Sequence, residues 1–298
     1  MSITLFKFKN NLSILIVGLL FFICNPSPHA VYAQSTKSLN KIVLDAGHGG
    51  KDAGAAAYRF GKHEKDITLD VVLKLGKILK DSMPQLKVIY TRTTDIYPEL
   101  KERHKIANDA NADLFISVHV NATAGTHTRV ASGSHYVGKG KKRRKVTSYK
   151  TIVNRSTNAS GTETYVLGLH RNSQKSKAIE DYGDNVTEEP GLLDENDPTT
   201  QIIVAQYTQA FLSRSINFAD KVEQNFIQQG RKSYGVKQKG LEVLAGSAMP
   251  GALIEIGFIN NAADEEYLNS DQGQTQVAMG IYKAIKAYKE DLSRGKAK

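Results

Sequence analysis

Two histidines, each closing an apolar run, are the residues of this 298-residue chain best suited to chemistry. In Leu44-Asp45-Ala46-Gly47-His48-Gly49-Gly50, continuing Lys51-Asp52-Ala53-Gly54, a strand-like segment ends in a glycine-rich turn with an imidazole at its tip. Glycines there permit backbone angles closed to other residues and leave the ring reachable. Phe115-Ile116-Ser117-Val118 runs in the same way into His119, followed by Val120-Asn121-Ala122. Open α/β sheets bind ligands beyond the carboxyl ends of their strands, so two such strands can bring both imidazoles to one sheet edge. The plainer alternative is a pair of unrelated loop histidines satisfied by hydrogen bonds. The first turn is no Walker phosphate loop, because the Gly-x4-Gly-Lys-Ser/Thr spacing is missing.

Two neutral imidazoles call for an anionic third ligand to hold a catalytic Zn²⁺, with the fourth position left to water. Glu64, at the start of a helical stretch just after a glycine-rich loop, is the best-placed carboxylate. The helix dipole alone also favours an acid there. His63 competes for the role, whereas Asp66 and Asp70 lie deeper in the helix. Glu255, in Gly251-Ala252-Leu253-Ile254-Glu255-Ile256-Gly257-Phe258, is a lone carboxylate inside an apolar strand. Burying it is costly unless it is paired or used. Beside a metal, such a group suits taking a proton from water and returning it to a leaving amine. A structural ion pair is the competing explanation.

The elements that must position these residues follow from periodicity. Ile42–Leu44, Lys87–Tyr90, Leu114–Val118 and Ala252–Ile256 read as strands, apolar throughout, as expected of a sheet covered on both faces. Ile67, Val71, Leu75 and Ile78 recur at helical spacing up to Pro84, and a second helical stretch opens at Pro98 and runs to about Asn111. Ile202–Gln229 and Gln272–Asp291 complete the pattern. The expectation is an α/β fold: one domain over residues 41–292, with a central, twisted, mostly parallel sheet and helices on both faces. A charged surface insertion spans about residues 124–200, with a core piece at Thr162–Leu169 embedded in it.

Composition bounds the rest. Forty per cent hydrophobic residues can build a core, and a single cysteine excludes a disulfide framework or a Cys-rich zinc cluster. Lys7 and Lys9, the 13-residue apolar run Leu12–Cys24 and the exit through Val31-Tyr32-Ala33 read as a signal peptide over residues 1–33. The run is short for a membrane anchor, and Ile23 stands where a lipoprotein site at Cys24 would want a small residue. Export would leave 265 residues without cysteine, carrying +8 instead of +10, with a linker at 34–40 and a basic tail at 293–298. Within the insertion, Lys139–Lys150 holds seven basic residues and no acid, and Glu180–Asp197 holds eight acids and no base. The basic run is either a solvated face or a contact for anionic envelope polymer or membrane. Nucleic acid is disfavoured for an exported chain without interleaved aromatics.

Taken together, Leu44-Asp-Ala-Gly-His48-Gly-Gly-x-Asp-x-Gly, Glu64-Lys65, Tyr90-Thr-Arg92-Thr-Thr-Asp95, Phe115-Ile-Ser-Val-His119-Val-Asn121-Ala and Glu255-Ile-Gly-Phe-Ile resemble the zinc-dependent N-acetylmuramoyl-L-alanine amidases of bacterial cell walls, the type-3 family. The likeness runs from about Lys41 to Tyr288. It implies one Zn²⁺ held by His48, Glu64 and His119, with Glu255 as the catalytic glutamate. It further implies hydrolysis in peptidoglycan of the amide between N-acetylmuramic acid and L-alanine (EC 3.5.1.28), in the periplasm or at the cell wall, for wall turnover or cell separation. Asp45 and Asn121 are candidates for orienting ligands, and Glu163 in Gly161-Thr-Glu-Thr-Tyr165 resembles a groove-lining segment without a catalytic role. Some family members occlude their zinc with a segment that a protein activator displaces, and the acidic stretch here invites the same expectation of autoinhibition. Other zinc peptidases or deacetylases of the wall, and a non-catalytic peptidoglycan-binding protein, are the alternative readings.

Overall fold

The computed structural model describes residues 38–59, 61–183, 193, 197 and 199–295, so the expected signal segment and most of the acidic stretch lie outside the described residues. The order is β1 (Lys41–Ala46), α1 (Glu64–Ser82), β2 (Lys87–Tyr90), α2 (Leu100–Asp109) and β3 (Leu114–Asn121), then β4 (Thr126–Val137), β5 (Arg144–Asn154), β6 (Thr162–Leu167) and α3 (Asn172–Asp181). There follow α4 (Thr200–Gln228), β7 (Ser233–Lys239), α5 (Glu242–Ala245), β8 (Gly251–Phe258), α6 (Ala262–Asn269) and α7 (Asp271–Ser293). The four strands and four helices expected from periodicity are all present, with ends shifted by a few residues.

The main sheet has six strands in the order β2-β1-β3-β8-β6-β7. Neighbours are parallel except at one seam, where β6 runs antiparallel to β8. Alternation along the strands assigns their faces. Ile42, Leu44, Ala46, Ile116, Val118, Ile254 and Ile256 join the larger core beneath α1, α4 and α7. Val43, Phe115, Leu167 and Leu253 face a smaller core formed with Ala107 of α2 and Val243–Ala245 of α5. Asp45, Ser117, His119 and Glu255 fall on this second face by the same alternation.

The charged insertion is less uniform than its composition. Thr162–Leu167 is the expected core piece and supplies β6 of the main sheet. Residues 126–154, expected only as part of the charged surface insertion, form a separate two-stranded antiparallel hairpin whose turn and second strand carry the basic run. Exposed Tyr136 and Tyr149 support it, because Arg143 lies 4.4 Å from the first ring and Arg129 4.3 Å from the second. Helix α3 buries Ala178 and Ile179 against Val204 and Phe211 of α4. Edge strand β7 had no expectation; its sequence Ser-Tyr-Gly-Val-Lys-Gln-Lys has no apolar run to reveal it.

Candidate functional site

The turn after β1 is held by two buried guanidiniums. Arg92 donates from Nε to Ala46 O (2.9 Å) and from Nη2 to Gly47 O (2.9 Å) and Lys65 O (2.7 Å). Arg103 donates to Asp45 Oδ1 (2.7 Å), Ala46 O (2.8 Å) and His48 O (2.7 Å). Asp45 also accepts from Thr91 Oγ1 and Ser117 Oγ, each at 2.6 Å. Burial works to raise the Asp45 pKa, but Arg103 and the two hydroxyls hold it below the usual range. Asp45 therefore braces the strand ends and does not touch an imidazole directly.

So anchored, the turn takes a conformation that most residues avoid. His48 has φ 61°, in the left-handed region that non-glycine residues enter rarely and often at functional sites. Two glycines make room for the side chains around it. A Cβ on Gly47 would lie 2.5 Å from the His119 ring, and one on Gly54 would lie 2.6 Å from Glu64 Oε2 and 2.7 Å from the His48 ring. These positions admit nothing larger than hydrogen without moving a ligand candidate.

His48, Glu64 and His119 each offer a ligand atom, and these atoms lie within 4.8 Å of one another. Glu64 Oε1 is 3.1 Å from His48 Nε2 and 2.9 Å from His119 Nδ1, and it accepts from Val120 N at 3.0 Å. Its Oε2 accepts from Ala55 N at 2.8 Å. The two rings meet edge to face, with centroids 4.9 Å apart. Glu64 is the first residue of α1, so the same position that suits the helix dipole also delivers the carboxylate to the end of β3. His63 is its N-cap, turned to Ala57 N at 3.4 Å, and is absent from the cluster. Asp66 accepts from His63 N, and Asp70 pairs with Lys62.

The electrostatics are those of a negative hole between two rings. Burial would raise the Glu64 pKa, yet the imidazoles of His119 and His48 drive it far below the carboxylate range. Burial would lower the His48 pKa, yet Glu64 and Asp52 push it up to about 9. Two imidazoles converging on a buried carboxylate are the donor set a divalent cation takes, so the cluster fits a metal. Asp52 Oδ2 lies 2.8 Å from His48 Nδ1 and fixes the ring through its other nitrogen. Sequence reasoning gave Asp52 no role, although its place four residues after His48 in the turn was the available signal.

Glu255 is cross-strand partner of His119 on one side and of Glu163 on the other. A register shift between His119 and Asn121 disrupts the ladder here, as β-bulges do beside active sites. Burial raises the Glu255 carboxyl to about 7, and its Oε2 is buried without a hydrogen-bond partner. Among the described residues no ion pair explains it. Glu163, by contrast, accepts from Asn121 Nδ2 (2.6 Å) and Tyr165 Oη (2.6 Å) and pairs with Lys237. Asn121 thus holds Glu163 instead of a ligand candidate.

A family model described as N-acetylmuramoyl-L-alanine amidase (Amidase_3) matches residues 42–287. The chain belongs to that family. It is 32% identical over 253 residues to an endolysin of Bacillus phage SPP1, covering 83% of this chain and 65% of that one. It is 29% identical over 250 residues to the N-acetylmuramoyl-L-alanine amidase AmiC of Escherichia coli O6:H1, covering 84% of this chain and 53% of that one. The chain thus spans about half to two thirds of the length of these relatives. The crystal structure of an N-acetylmuramoyl-L-alanine amidase from Clostridium difficile 630 shares the α/β fold, with a TM-score of 0.56 at 23% identity, over 84% of this chain and 97% of that one. All four residues singled out as ligands and base lie inside the matched amidase region.

Proposed function

We propose that this chain is a zinc-dependent N-acetylmuramoyl-L-alanine amidase, with residues 41–292 as its catalytic domain. His48, Glu64 and His119 hold one Zn²⁺, and Glu255 is the proton carrier. The observation that carries the reading is the pairing of a His-Glu-His cluster with a carboxylate one strand away whose Oε2 is buried without a hydrogen-bond partner. Membership of the amidase family supplies the substrate class.

When bound, Zn²⁺ polarises the scissile carbonyl and lowers the pKa of water. The chain's own groups do the rest. Asp52 orients His48, and the Val120 and Ala55 amides orient Glu64. Glu255 is free to take the water proton and hand it to the L-alanine amine as the amide breaks. A pKa near 7 suits both directions of that transfer.

Export fits residues 1–33, and the basic hairpin fits contact with anionic envelope polymer. Autoinhibition belongs to the acidic stretch, of which Glu180 and Asp181 end the packed helix α3. Purified protein incubated with muropeptides tests the amidase reading. Free stem peptides and unpeptidated glycans should appear, and should be lost with chelator or with Glu255→Gln. Cleavage within the stem, or binding without turnover, would refute it.

A further inference from the structure

Beyond Glu255, the site face of the sheet continues into a row of tyrosine and lysine that the proposed chemistry does not use. Glu163, Tyr165 and Leu167 of β6 point to the same face as His119 and Glu255, since Tyr165 and Leu167 pack on the smaller core. On edge strand β7, Lys237 is the register partner of Tyr165, and Lys239 of Leu167. Both lysines lean back towards the site. Lys237 Nζ reaches Glu163 and is neutralised there. Lys239 Nζ lies 5.1 Å from the centroid of the Tyr165 ring. The Tyr165 hydroxyl is tied to Glu163, so this ring is a fixed floor. Lys239 is exposed, and among the described residues no carboxylate is recorded as its ion-pair partner.

We propose that Lys239, seated on Tyr165, is a binding residue for a carboxylate on the peptide side of the substrate. This rests on the amidase reading and specifies its substrate. The Lys239 backbone stands two strands from β8 and level with Leu167, four residues along from Glu163. Its side chain, however, returns to Tyr165, which is one strand across and two residues along from Glu255, about 8–10 Å away. An extended peptide advances about 3.4 Å per residue, so the ammonium meets an acidic group two to three residues beyond the scissile amide. In a stem peptide that group is a free carboxylate on the second or third residue. Lys237 cannot substitute, because Glu163 already occupies it.

The test uses the metal-loaded full-length enzyme and two muramoyl-tripeptides, one with free carboxylates on residues two and three, the other with both amidated. Wild type should prefer the free acid. Lys239→Gln should lose about tenfold in kcat/KM on the free acid, through KM with kcat retained, and lose nothing on the amidated substrate. Lys239→Arg should restore most of the preference. An edge-strand lysine that only discourages strand pairing would leave the ratio between substrates unchanged. An equal effect on both substrates, or none on either, overturns the proposal. Failure of wild type to cleave either substrate would strike the amidase reading itself, and the subsite with it.

Discussion

The carboxyl ends of β1 and β3 and the β4–β5 hairpin are both built from strands and turns, yet their residues are constrained very differently. At the strand ends nearly every polar atom has a buried partner: Asp45 has three side-chain donors, and Glu64 has two backbone amides and two imidazoles. In the hairpin most side chains face solvent, and its two tyrosines each carry an arginine over an exposed ring. Over-determination of that kind stabilises the left-handed His48 and brings the ligand candidates together. The hairpin can change sequence without disturbing the chemistry.

That contrast orders the expected effects of mutation. The largest is Glu255→Gln, which should lower turnover by roughly 10³–10⁴ while preserving the fold. The same change should stabilise the metal-free protein at alkaline pH. Folded Glu255 titrates at about 7 against an ordinary 4.5, so between those values the folded state holds more protons than the unfolded one. Stability from this group is therefore full below pH 4.5 and falls as pH rises to about 7. Thermal melts in chelator should show Glu255→Gln ahead by about 3 kcal/mol above pH 7 and level with wild type near pH 4. An opposite sign would mean that the carboxylate has a partner.

Arg103→Met comes next. It strands Asp45 in the core, and denaturant unfolding should show a loss of about 3–5 kcal/mol. Gly47→Ala should keep the fold but push His119 aside, lowering activity about 100-fold and weakening zinc retention in competition with a chelator. Asp52→Asn should weaken zinc affinity about 10- to 100-fold by releasing the His48 ring. Smallest of all, changing Lys141, Lys142 and Arg143 together to Gln should shift stability by less than about 0.5 kcal/mol and leave turnover of soluble muropeptides unchanged. A large effect there would erase the distinction between the two regions.

How much of this was legible in the chain followed the same divide. Strands β1, β3 and β8 are buried on both faces, so their apolar runs announced them, and the histidines and Glu255 stood out against that background. Glu64 was separable from His63 only in space, because adjacent residues of a helix start point in different directions. Arg103 lies in a polar helix, 58 residues from Asp45, and nothing local marks it as buried. The hairpin and β7 were hidden for the opposite reason. Their side chains are largely solvated, so pairing with a neighbour, which no local pattern encodes, is what makes them strands.

Metal content measured together with bond specificity tests the central claim most directly. The intact protein, stripped and reloaded with one equivalent of Zn²⁺, should bind a single ion and regain release of L-alanine-terminated stem peptide from N-acetylmuramic acid. Glu64→Ala should bind none and release none, and Glu255→Gln should bind one and release none. Full activity in the stripped protein, or zinc retained with unchanged affinity by Glu64→Ala, would contradict the account.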